Sequence, residues 1–126
     1  MAGLCLEILP TKFAVCRLQH DTSIPEWALT GHFFSISKTE EELSIVCEEG
    51  YVPGGTKCES GWRALKVKGP LDFGLTGILA SIAQPLALAK VSLFAISTFD
   101  TDYVLIKHDC VDRAAEALTR AGHHVS

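Results

Sequence analysis

The side chains best suited to chemistry gather in two short stretches of the second half. Ser97-Thr98-Phe99-Asp100-Thr101-Asp102 is one. The hydroxyls of Ser97 and Thr98 can donate and accept hydrogen bonds. The Asp102 carboxylate can pair with an ammonium or a guanidinium. Asp72-Phe73-Gly74-Leu75-Thr76-Gly77-Ile78 is the other, and it leads from a strand into a helix. A helix start exposes unpaired N–H groups and partial positive charge, which suit a carboxylate or phosphate. Gly77 lets a ligand approach the backbone closely. An amide-rich helix mouth and an acid would together hold a zwitterion without transforming it. Plainer readings stand beside these. Thr76 and Gly77 can simply cap and pack a helix, and the hairpin can be a polar turn with solvated acids.

Other chemistries find less support. Asp72, Asp100 or Asp102 could act as acid or base, but neighbouring carboxylates in a turn are usually solvated. No G-x-S-x-G elbow and no G-x-x-x-x-G-K-[ST] loop occurs, so Pro53-Gly54-Gly55 reads as an ordinary loop. The histidines at 20, 32, 108, 123 and 124 show no metal-ligand spacing, and His123-His124 reads as an exposed terminus. Five cysteines are an odd number and include no C-x-x-C. Cys5, Cys16 and Cys47 sit in apolar runs and read as reduced core residues. The expectation is no catalysis, no metal and no cofactor.

Those stretches need elements to hold them. The chain has 126 residues, 48% of them apolar, and a mean hydropathy of +0.24. That favours one compact domain or two very small fused ones, and it argues against disorder. The net charge is −4 with no lysine or arginine run, so neither nucleic acid nor an acidic membrane is an expected partner. The start lacks a basic, apolar leader pattern and no apolar run reaches a spanning length, which makes cytosol the default.

Strands are expected at Leu4–Leu9, Lys12–Leu18, Phe33–Lys38, Leu43–Cys47, Trp62–Lys68, Val91–Ser97 and Tyr103–Lys107. Residues 48–61 form the one real loop. A helix should start near Leu75 or Thr76, bury a stripe of Ile78, Ile82 and Leu86, and bend at Pro85. A last helix should run from Cys110 to Ala121, capped by Asp109 and stopped by Gly122. His123–Val125 adds an edge strand. From Trp62 onward the order is β-α-β-β-α-β, an α+β ferredoxin-like unit. Shifting the chain by 60 residues lays Phe34–Val46 over Phe94–Ile106 without a gap. Phe34/Phe94, Ile36/Ile96 and Ser37/Ser97 are then identical. A duplicated unit with a reduced first copy explains this, although any two hairpins share some alternation.

The stretches FFSISKTEEELSIV, DFGLTGILASIAQPLA and VSLFAISTFDTDYVLI resemble ACT-domain regulatory modules. They resemble most the tandem-ACT unit of the cytosolic arginine sensors of the TOR pathway, and more distantly aspartokinase regulatory domains. The resemblance implies two ACT-like halves with antiparallel sheets, 1–61 and 62–126, the first degenerate. It implies a free amino acid bound, without catalysis, where two ACT modules abut. It implies a homodimer, with a regulated protein as a further partner. It implies ligand contacts at Thr76, Gly77 and Ile78, at Ser92 and Leu93, and at Thr98, Phe99 and Asp102. Asp102 matches the acid that faces the cationic side chain in the arginine sensors. A ligand-free dimerisation module is the competing expectation.

Overall fold

The structure, a computed structural model, describes residues 3–69 and 76–126. Among the described residues seven strands and two helices follow in order. They are β1 (Cys5–Leu18), β2 (Ser35–Lys38), β3 (Leu43–Glu48), β4 (Cys58–Val67), α1 (Ile78–Leu88), β5 (Phe94–Ser97), β6 (Asp102–Lys107), α2 (Val111–Arg120) and β7 (His124–Val125). Single 3-10 turns occupy Glu26–Leu29, Glu49–Tyr51 and His108–Cys110. No helix among the described residues is long and apolar enough to cross a membrane. The chain divides into a terminal unit, Met1–Pro10 with Arg63–Ser126, and a mid-chain unit, Thr11–Trp62.

The terminal unit has the strand order β1-β4-β6-β5, with β7 parallel to β1 through Cys5↔His124 and Leu6↔Val125. Its core joins Leu6, Leu65, Val67, Ile82, Leu86, Val104, Ile106 and Leu118. The helix α2 buries Val111, Ala114, Ala117 and Leu118 while Asp112, Arg113, Glu116 and Arg120 face water. That is the spacing of a one-faced surface helix. In α1 only Ile82 and Leu86 are buried, so the apolar stripe is narrower than expected, with Ile78 half-buried and Leu79 exposed.

Pro85 lies inside α1. It has no N–H, so the Ser81 carbonyl four residues back loses its helical partner. His123 fills the gap. Its Nε2 lies 2.9 Å from the Ser81 oxygen, and its Nδ1 accepts the Leu4 amide at 3.0 Å. An accepting Nδ1 places the ring hydrogen on Nε2, so Nε2 donates to Ser81. The expectation of an exposed His123 is therefore corrected: the ring is buried, and both nitrogens are used. Chain packing beside it is tight, since a Cβ on Gly3 would lie 1.9 Å from the Gly122 carbonyl oxygen.

The mid-chain unit has the order β2-β3-β1. Phe13 opposes Glu48 and Leu18 opposes Leu43 along the antiparallel β1–β3 ladder. Ala14, Cys16, Ala28, Leu43, Ile45 and Cys47 form its core, and Phe13 meets Phe33 edge-on at 5.8 Å between ring centroids. Only the short turn at Glu26–Leu29 carries helical structure between β1 and β2.

Two expected strands are one. The chain continues from Cys5 to Leu18 through Pro10. The carbonyl before that proline, on Leu9, accepts the Arg63 guanidinium at 2.8 and 3.2 Å. The two hairpins correspond element by element, but with a displacement of 59. Ser35–Lys38 maps onto Phe94–Ser97, Leu43–Glu48 onto Asp102–Lys107 and Glu49–Tyr51 onto His108–Cys110, each bound displaced by 59. The sequence alignment at 60 is one residue out of register with the hairpin pairing.

Candidate functional site

The Thr98–Thr101 loop joins β5 to β6. Its ends are tied, because the Thr98 amide donates to the Thr101 carbonyl at 2.8 Å and the Thr98 hydroxyl donates to the same oxygen at 3.0 Å. The Thr101 amide returns to the Thr98 hydroxyl at 3.3 Å. Such local bonds let a threonine side chain stand in for backbone at a turn. The Thr101 hydroxyl is buried and donates to the Val67 carbonyl on β4, which anchors the loop to the sheet. No feature of the sequence marked Thr101; its neighbours Asp100 and Asp102 gave the segment a solvated look.

Directly before and after the loop, Ser97 and Asp102 oppose each other as the closing pair. The Ser97 hydroxyl donates to Asp102 Oδ1 at 2.6 Å. Asp102 is half-buried. A carboxylate accepts at both oxygens, so Oδ2 keeps its capacity for an ammonium or guanidinium donor. Phe99 at the loop tip is 79% exposed and Asp100 is also exposed.

The remaining expected residues lie on the flanks of the same unit. Thr76 and Gly77 are exposed and Ile78 opens α1. Gly77 takes the cap position with φ of 76°, a left-handed backbone that glycine adopts without strain. Among the described residues no side-chain cap bond closes the helix there. The first-turn amides of a helix have no partner inside the helix itself. Ser92 is exposed and Leu93 is half-buried against the unit's core, both just before β5. Asp72, Phe73, Gly74 and Leu75 lie outside the described residues. The structure brings Ser97, Thr98, Thr101 and Asp102 together through hydrogen bonds.

The expected cap at the last helix is corrected. Asp109 falls in the 3-10 turn, Cys110 holds the cap position, and no side-chain bond closes it. Among the described residues no group of three or more histidine, cysteine or carboxylate side chains is arranged to hold a metal ion.

Two helices and a largely antiparallel sheet, with a tied polar hairpin and a glycine-capped helix start, define an α+β domain of ferredoxin-like fold. A family model of the ACT domain matches residues 57–120, and a second model, of an N-terminal domain, matches residues 11–55. The rat cytosolic arginine sensor for mTORC1 subunit 1 is 33% identical over 118 residues, covering 82% of this chain and 36% of its own. The Homo sapiens counterpart is 36% identical over 96 residues, covering 70% and 29%. The chain thus spans about a third of the length of these relatives. A solved structure from Agobacterium tumefaciens is 36% identical with a TM-score of 0.94, covering 100% of this chain and 94% of that one. The aspartate kinase of Clostridium acetobutylicum has a TM-score of 0.71 at 11% identity, covering 97% of this chain and 35% of the kinase, a likeness of fold alone. The chain belongs to the ACT-domain family and is related to amino-acid sensors.

Proposed function

We propose that this protein is a non-catalytic amino-acid sensor. It binds a free amino acid where two ACT modules meet, in a homodimer of this chain. The observation that carries the reading is the Asp102 carboxylate, half-buried at the closing pair of the hairpin and held by Ser97. Asp102 receives the cationic group of the ligand. The first-turn amides after Thr76 and Gly77, with Ile78, receive its carboxylate. Ser92 and Leu93 contribute backbone, and Thr98 and Phe99 wall the ligand. A ligand touching both copies stabilises the dimer by mass action. It transmits a signal when the liganded dimer binds a protein partner differently. The relatives named as cytosolic arginine sensors support a cytosolic site of action and a cationic amino acid as first candidate.

A thermal-shift screen across the twenty amino acids tests this. A rise in melting temperature at millimolar ligand, lost in Asp102→Asn, is expected. No rise with any amino acid overturns the reading. A ligand-free interaction module is the second reading, favoured by Leu88, which is 80% exposed on α1. It predicts a dimer whose dissociation constant is the same with and without amino acids, by analytical ultracentrifugation.

A further inference from the structure

Three of the five cysteines converge in the mid-chain unit. The β1–β3 register sets Cys16 opposite Ile45 and Cys47 opposite Ala14. The two thiols are therefore diagonal neighbours on one face, buried in the same cluster. On the other side of β1, the Arg17 amide donates to the Lys57 carbonyl at 3.0 Å. That bond sets the adjoining residues, Cys16 and Cys58, across from each other where β4 begins. Opposed residues at such a non-hydrogen-bonded rung have Cα atoms about 4.5 Å apart. A disulfide spans that separation. Both Cys47 and Cys58 lie close enough to Cys16 for their thiols to raise its titration.

The three thiols differ in access. Cys58 is exposed, whereas Cys16 and Cys47 are buried. Cys16 and Cys58 line one cleft of about 280 Å³, with Arg17 and Lys57 beside them. Burial, then the neighbouring thiols of Cys47 and Cys58, push the Cys16 thiol up to about 12. Burial raises Cys47 as well. Both stay protonated near neutral pH, and the thiol is the unreactive form toward oxidants.

We propose that Cys58 is a peroxide-oxidation site and that Cys16 resolves it, forming a reversible disulfide between β1 and β4. In the first step the Cys58 sulfur attacks the O–O bond of hydrogen peroxide. It gains one oxygen to become a sulfenic acid, and its proton leaves with the other oxygen as water. In the second step the Cys16 thiol passes its proton to the sulfenic hydroxyl oxygen as its sulfur attacks the Cys58 sulfur. The S–S bond forms, the S–O bond breaks, and the Cys16 proton departs with the hydroxyl as a second water. Two electrons have passed from the thiol pair to one peroxide, and a dithiol reductant returns them. Cys47 remains a bystander on the far side of Cys16.

The test uses the reduced full chain, treated with equimolar hydrogen peroxide, blocked with N-ethylmaleimide and mapped without reduction. A Cys16–Cys58 linked peptide, lighter by two hydrogens and released by dithiothreitol, is expected. Cys16→Ala should arrest the reaction at a Cys58 sulfenic acid that dimedone captures. Cys47→Ala should leave the link intact. Cys58→Ser changes only an exposed position and should abolish the link with the fold unchanged by circular dichroism. A preferred link of Cys16 to Cys47, or of Cys58 to Cys5 or Cys110, overturns the proposal. So does a Cys58→Ser chain that consumes peroxide at the native rate, or a native chain whose Cys58 passes to sulfinic acid without linking.

Discussion

The hairpins β2–β3 and β5–β6 are built alike and end differently. Each places a threonine first in a four-residue loop, Thr39 or Thr98. Each ties the loop by an amide bond to the fourth residue, at 2.9 Å to Glu42 and 2.8 Å to Thr101. Their closing pairs part company. Lys38 opposes Leu43 in one, and Ser97 opposes Asp102 in the other. Leu43 is buried in its core, while Asp102 is half-buried and bonded to Ser97. At the fourth loop position Glu42 is half-buried, and Thr101 is buried with its hydroxyl on Val67. The turn itself is thus a property of the fold, repeated wherever the unit is. The polar closing pair is a departure confined to one copy, and there the candidate chemistry sits.

Exchanging the closing residues should break this comparison most severely. Leu43→Asp buries a carboxylate without a partner and is expected to cost about 4 kcal/mol in urea unfolding. Asp102→Leu makes the opposite exchange at a half-buried position. It should change stability by less than about 1 kcal/mol and weaken amino-acid binding by roughly tenfold to a hundredfold in calorimetry. A native affinity in that variant would detach Asp102 from the site. Next comes the fourth loop residue. Thr101→Val strands the Val67 carbonyl and should cost about 1–2 kcal/mol, while Glu42→Val should stay within about 0.5 kcal/mol. Equal losses would show that the two loops are anchored alike after all. The smallest effect is the shared one. Thr39→Ala and Thr98→Ala should each cost about 0.5–1 kcal/mol by thermal melts, from the lost turn bonds. Only Thr98→Ala should also lower ligand affinity.

The fold was legible where side-chain pattern and local structure agree. The polar and apolar faces of α2, the β5–β6 hairpin and the glycine at residue 77 all follow from spacing or backbone chemistry. Register was not legible. Ile45-Val46-Cys47 and Val104-Leu105-Ile106 are buried in succession, so the alternation that would fix which residue faces which is missing. Identities such as Phe34/Phe94 then pulled the alignment one residue aside. In the site, Ser97 and Asp102 stood out because both are polar at the ends of one turn. The buried role of Thr101 depends on a carbonyl 34 residues away. His123 was misread for the same reason, since its partners are backbone atoms 119 and 42 residues distant.

The proline within α1 carries a lesson for how this sequence can drift. A helix that dispenses with one of its own donors must borrow another, and here the loan comes from an imidazole near the far end of the chain. Residues 85 and 123 are therefore expected to change in concert among kindred sequences: where an ordinary residue restores the rung, the imidazole is released from duty, and where the proline persists, a ring or amide able to donate should persist with it. Replacing either one singly should hurt more than the two together, a non-additivity that a double-mutant cycle would read.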